Sequence, residues 1–136
     1  MPEVDRGGRI PLHYAALEGT ADDVTRLLQD GQDVHAVDHA GFTPLHFAAQ
    51  SGRVDNVRVL IAAGAEVDAL DATGNSALKK AVTGTAGDPV GVIKVLRENG
   101  ADPTIKAQNG RSALDTIKVM GNELKRAEFS DLLDDK

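Results

Sequence analysis

The chain has no cysteine, no tryptophan and only four aromatic residues among 136. Without cysteine, disulfides, thiolate metal sites and thiol catalysis are excluded, so stability has to come from packing. No apolar run reaches the roughly 18 residues of a membrane-spanning helix. The opening Met1–Gly8 lacks the cationic-then-apolar order of a secretory signal. The closing Leu132–Lys136 matches no lipidation signal. There is no phosphate-cradling glycine loop and no serine or threonine in a nucleophile elbow. The chain therefore reads as a non-enzyme without cofactors, in a reducing, cytoplasmic setting.

Charge is present but unevenly spread. The net charge is −6, of which residues 1–73 carry 12 acids against 5 bases and residues 74–136 carry 9 against 10. An acidic chain disfavours phosphate backbones and anionic lipid and favours a basic partner. No nucleic acid and no membrane are expected as partners.

What the chain has in abundance is repetition. Ile10-Pro-Leu-His-Tyr-Ala-Ala16 returns 33 residues later as Thr43-Pro-Leu-His-Phe-Ala-Ala49. Ser76-Ala-Leu-Lys-Lys-Ala-Val82 follows after another 33, and Ser112-Ala-Leu-Asp-Thr-Ile-Lys118 after 36. With the copies aligned on Leu12, Leu45, Leu78 and Leu114, Gly8, Gly41, Gly74 and Gly110 fall in register. A fixed period of this length marks stacked units, in which function lies on a surface rather than in a pocket.

Each unit holds two stretches of helical length. Pro11 and Pro44 suit a first helical turn, where the missing N–H has no intrahelical partner. Ala15, Ala16, Ala48 and Ala49 leave room for a neighbouring helix. Gly19 and Gly52 are predicted to end the first helix in a left-handed conformation. Thr20 with Asp23, and Asp88 before Pro89, are predicted to start second helices. Val24, Leu27 and Leu28 form an apolar stripe that recurs at Val57, Leu60 and Ile61 and at Val92, Ile93 and Leu96. Asp22, Asp23, Arg26, Gln29 and Asp30 take the wet face. The fourth unit's second helix is predicted over 122–133. Asp5-Arg-Gly-Gly8, Asp38-His-Ala-Gly41 and Asp71-Ala-Thr-Gly74 read as turns.

These features together resemble the ankyrin repeat, from about residue 5 to residue 133. The resemblance rests on the 33-residue period, Thr43-Pro-Leu-His-Phe-Ala48, and the segments Gly64-Ala-Glu-Val-Asp68 and Gly100-Ala-Asp-Pro-Thr104. It implies an all-α solenoid of stacked helix-turn-helix units with projecting β-hairpin-like turns. One domain over 1–136 would divide near 5–37, 38–70, 71–106 and 107–134, the outer units acting as caps. Two departures stand out. The third unit is three residues longer within Thr83–Pro89, and Lys79 and Asp115 replace the motif histidine.

The resemblance gives His13 and His46 a structural role, bonding backbone and joining units. It also places protein binding on the turn tips and on the inner face of the first helices. By position that surface comprises Arg9, Tyr14, Leu17, Glu18, His39, Phe42, Phe47, Gln50, Ser51, Asn75, Lys80 and Arg111, with Arg6, Thr83, Gln108 and Thr116 as further equivalents. Tyr14, Phe42 and Phe47 are the expected aromatic anchors, since interface hot spots favour such residues. The leading expectation is a monomeric adaptor or inhibitor of another protein, with a basic partner surface suggested by nearby acids. A bacterial antitoxin or immunity protein is a specialised form of it. A metal module using His35, Asp38 and His39, or a purely structural spacer, are the competing classes; no metal site is predicted, because further ligands are not spaced to converge.

Overall fold

The computed structural model describes residues 6–120 and 122–133. Asp5 of the first predicted turn and the end of the acidic tail, 134–136, lie outside them. Within the described residues the chain forms helices in pairs: α1 (Pro11–Glu18) with α2 (Ala21–Gln29), α3 (Pro44–Gln50) with α4 (Val54–Ala62), α5 (Ala77–Thr83) with α6 (Pro89–Glu98), and α7 (Ala113–Met120) with α8 (Glu123–Ala127). First helices pack in one row, α1 on α3 on α5 on α7, and second helices in another, α2 on α4 on α6 on α8. The result is a two-layered stack of four helical pairs. None of these helices is long and apolar enough to cross a membrane.

The aligned leucines show why the units must stack. Leu12, Leu45 and Leu78 are fully buried between layers, while Leu114, in the last unit, stays half-buried. Each apolar stripe is too short to bury itself, and a neighbouring unit completes its cover. Ala16, Ala48, Ala49 and Ala81 are buried where first helices meet, and their small side chains permit that approach. Val24, Val57, Leu60, Val92, Ile93 and Leu96 fill the layer between the rows.

The predicted helix starts are present. Thr20 accepts from the Asp23 N–H while Asp23 accepts from the Thr20 N–H, closing a capping box. Those bonds, from Thr20 first, hold the Asp23 carboxyl below its ordinary range. Asp88 accepts from the Gly91 N–H at 3.0 Å, with Pro89 in the first turn.

Two predictions need correction. Gly52 is left-handed, with φ of +66°, but Gly19 is extended, with φ of −90° and ψ of −176°. The end of α1 is instead capped from the next unit, by the Asn56 Nδ2 donating to the carbonyls of Ala15, Ala16 and Gly19. Gly19 is still confined by space, because a Cβ would stand 2.9 Å from the Ala15 carbonyl oxygen. The helix predicted over 122–133 stops at Ala127. Beyond it, the N–H groups of Glu128, Phe129, Ser130 and Leu132 each reach back only three residues. Arg97 from α6 takes the Glu128 carbonyl at 2.7 Å and clamps Asp131 through both carboxylate oxygens. Phe129, fully buried, anchors this turn.

Turn tips form a continuous edge. In each, the glycine N–H bonds back to the residue three before it, at Asp38, Asp71 and Ala107. Successive tips are joined by single backbone bonds: His39 N–H to Gly7 O at 2.7 Å, Ala72 to Ala40 at 2.9 Å, and Gln108 to Thr73 at 2.9 Å. An isolated bridge between Leu70 and Ser76 gives the third tip its hairpin character.

Candidate functional site

The motif histidine and its replacements explain how the tip edge is held to the helices. His13 Nδ1 accepts the Ile10 N–H at 3.0 Å, and His46 Nδ1 accepts the Thr43 N–H at 3.1 Å. That leaves Nε2 as the protonated nitrogen, which donates onward: His13 to the carbonyls of Ala36 and Phe42, His46 to that of Asn75. Each histidine thus caps its own helix and ties it to the next unit. The structural role expected for both is what the geometry displays. Lys79 keeps only the second task, its Nζ donating to the Arg111 carbonyl at 3.2 Å. Asp115, with no described unit beyond it, keeps only the first, accepting the Ser112 N–H at 3.0 Å. The carbonyls reached belong to Phe42, Asn75 and Arg111, which are equivalent positions in consecutive units.

Beside these ties runs a ladder of side chains. Arg9 sits with its Cζ 5.2 Å from the centre of the Phe47 ring and 6.0 Å from that of Tyr14. Phe47 lies 5.1 Å from Phe42, which also stacks on His46 at 5.6 Å. Lys80 Nζ stands 4.2 Å over the other end, the Phe42 ring. Two phenylalanines are therefore bracketed by two cations, a favourable arrangement because aromatic faces carry negative potential. Each cation is fixed from behind by an aspartate: Arg9 Nε to Asp38 at 3.2 Å and Lys80 Nζ to Asp71 at 3.4 Å. Both aspartate side chains are only 2% exposed.

The aspartates are themselves satisfied by their turns. Asp38 Oδ1 accepts from Ala40 and Phe42 N–H, and Asp71 Oδ1 from Thr73 and Asn75 N–H, all at 2.9 Å. Burial alone would raise the Asp71 carboxyl, but the bonds from Asn75 and Thr73 and the Lys80 charge outweigh it and hold it below the ordinary range. One residue thus sets the turn, fixes a cation and stays ionised.

The structure unites Arg9, Tyr14, Phe42, Phe47 and Lys80 in this ladder. Asn75 and Arg111 adjoin it through their carbonyls. Leu17 packs half-buried against the core, while Glu18, His39 and Gln50 are exposed and lie outside the chain of contacts. Ser51 turns its hydroxyl back to the Phe47 carbonyl at 2.6 Å. Phe47, expected as an open anchor, is 5% exposed, and Phe42 is half-buried beneath Lys80. The reason is the stack, since Arg9 of the unit before covers Phe47 and Lys80 of the unit after covers Phe42. Thr116 is buried as well, bonding the Ser112 carbonyl. Tyr14, 37% exposed, is the aromatic that reaches the surface.

Of the acids near the ladder, Asp38 and Asp71 face inward, while Glu18 is exposed. Asp38 is also lost to the metal reading, because Arg9 and two backbone N–H groups occupy its oxygens. No group of three or more histidine, aspartate or glutamate side chains converges as a metal site among the described residues. Sequence reasoning passed over Lys79 and Asp71 as functional residues and considered Asp38 only as a metal ligand. The recurrence of Asp38 at Asp71 was visible, but their partners Arg9 and Lys80 lie in non-equivalent positions, so no period reveals the pairing.

The family model described as ankyrin repeats (3 copies) matches residues 12–107. The chain belongs to the ankyrin-repeat family. Ankyrin repeats generally serve as protein–protein interaction modules and are typically non-enzymatic. The match ends before α7 and α8. A comparison with curated proteins found no match.

Proposed function

We propose that this ankyrin-repeat chain is a non-catalytic adaptor or inhibitor that grips a protein partner with its tip edge and the inner face of its first helices. The observation that carries this reading is the ladder from Tyr14 through Arg9 and Phe47 to Phe42 and Lys80. Long cationic side chains ordinarily lose considerable rotamer freedom on binding. Arg9 and Lys80 are already fixed by aspartates and aromatic rings, so a partner would meet a surface whose ordering is largely complete. Tyr14 offers exposed aromatic area at its end, the residue type that most often anchors an interface.

The test is affinity capture from native cells with the intact chain as bait, followed by mass spectrometry. Tyr14→Ala and Lys80→Ala should each lower recovery of a captured partner by about tenfold, near 1.4 kcal/mol of binding. Lys94→Ala, exposed on α6 in the other row, should leave recovery unchanged. Equal recovery with all three variants would move binding away from the ladder.

A further inference from the structure

We infer that the partner segment received along the tip edge is an acidic polypeptide stretch, with Lys79 and Arg111 as the pair that binds its carboxylates. This rests on the protein-binding reading above and adds to it the chemistry of the partner.

The first observation is a charge separation that the linear chain conceals. The tips and first helices, residues 6–18, 38–51, 71–83 and 106–120, carry seven Lys or Arg against four Asp or Glu. They stand at +3 in a chain of −6, leaving −9 for the remainder. Three of those four carboxylates are already engaged: Asp38 by Arg9, Asp71 by Lys80, and Asp115 by Lys106 at 3.0 Å. The fourth, Glu18, closes α1. What the edge turns outward is therefore cationic.

The second observation concerns Lys79 and Arg111. Neither has a carboxylate within ion-pair distance among the described residues. They are nonetheless held together, since the Lys79 Nζ bonds the carbonyl of Arg111 itself. Burial first, and the Arg111 charge second, work against the charged form of Lys79, and the Asp115 charge offsets them only in part. An arriving carboxylate would relieve that repulsion. The inter-unit tie does not need the charge, because His13 and His46 make the same tie with a neutral ring. The ammonium at Lys79 is in excess of structural need, one residue from Lys80 and at the end of the ladder.

A polypeptide suits this strip better than a nucleic acid. The cationic strip is short and backed by strong negative charge, which repels a long polyanion extending beyond it. A short acidic segment lying along the linked tips, from Arg9 past Lys80 to Arg111, stays within it.

The experiment titrates the full chain, followed by amide NMR shifts, with three peptides of equal length. One is rich in glutamate, one has glutamine at the same positions, and one has lysine. The glutamate peptide should shift amides around Lys79, Lys80 and Arg111 and bind at least about fivefold more tightly than the glutamine peptide. That gap should close in about 0.5 M salt, where the Debye length falls to a few ångström. The double change Lys79→His, Arg111→Gln keeps the inter-unit tie and should remove the gap while leaving the thermal midpoint in place. Equal binding of glutamate and glutamine peptides, or an unaltered gap in the double variant, would overturn the inference. Preferential binding of the lysine peptide would also overturn it while leaving the protein-binding reading intact. A single-stranded oligonucleotide binding the same amides more tightly than the glutamate peptide would assign the strip to nucleic acid instead.

Discussion

Along the tip edge, three successive junctions are joined by one device. His13, His46 and Lys79 each donate to the carbonyl of the next unit's residue at the same repeat position, and the tips add one backbone bond apiece. Along the opposite edge, where each first helix turns into its second, the three junctions differ. Asn56 caps the end of α1. The Thr83–Pro89 insertion lies against the α3–α4 turn, with Asp88 N–H on the Gly52 carbonyl at 2.9 Å and the Gly52 and Gly87 backbones in contact. Lys125, 9% exposed, spends its Nζ on the carbonyls of Val82 and Gly84 at the end of α5. Asn56 and Lys125 occupy the same position, the third residue of a second helix, and Gly91 stands there in the unit whose insertion takes over the task. Helix C-termini leave carbonyls that must find donors, and any donor of suitable reach suffices. The tip edge repeats because backbone geometry fixes it, whereas the turn edge varies because side chains of several kinds solve it.

The largest expected effect strikes the turn edge where it has no side chain to exchange. Gly52→Ala would place a Cβ against the Ala86 carbonyl and the Asp88 N–H while demanding a left-handed alanine. The expected loss is about 3 kcal/mol, read from urea melts. Asn56→Ala removes the side-chain donor from the Ala16 and Gly19 carbonyls and should cost about 2 kcal/mol in the same assay. A loss near zero would show that water caps that helix equally well.

On the tip edge, acid should loosen what neutral pH holds. His46 is fully buried, and burial, with its Nδ1 already accepting from Thr43, disfavours the protonated ring, so its pKa lies below the ordinary 6.5. The unfolded chain then binds the proton first, so stability falls as pH drops below about 6.5, by up to about 1.4 kcal/mol per unit. His46→Gln should flatten that slope. The smallest effect is Lys79→His, which restores the repeated residue and should change stability by less than about 0.5 kcal/mol. A large loss there would mean that the ammonium does more than tie two units.

Much of the fold was legible because its signals are local. The prolines at Pro11, Pro44 and Pro89 and the caps at Thr20 and Asp88 depend on residues within one turn of each other, and the 33-residue period repeats those local signals along the chain. Gly19 was misread because its helix end is capped by Asn56, thirty-seven residues away. The end of α8 was misread for the same kind of reason, since Arg97 competes for the Glu128 carbonyl. In the candidate site, the family resemblance grouped Arg9, Tyr14, Phe42, Phe47 and Lys80 on one surface, and the structure brings these five into contact. Their order of depth was not legible, because exposure depends on which neighbour lies over which ring.

The sequence by itself determined that the chain stacks, where its helices begin, and which positions are shared and which vary. Those properties follow from hydrophobic period, first-turn proline and glycine spacing, all read within a unit. Only the tertiary structure decided that Asp38 and Asp71 point inward, that Arg9 and Lys80 cover the phenylalanines, and that an acidic chain presents a cationic edge. Charge and exposure belong to the contacts between units, and the order of residues along one unit does not contain them.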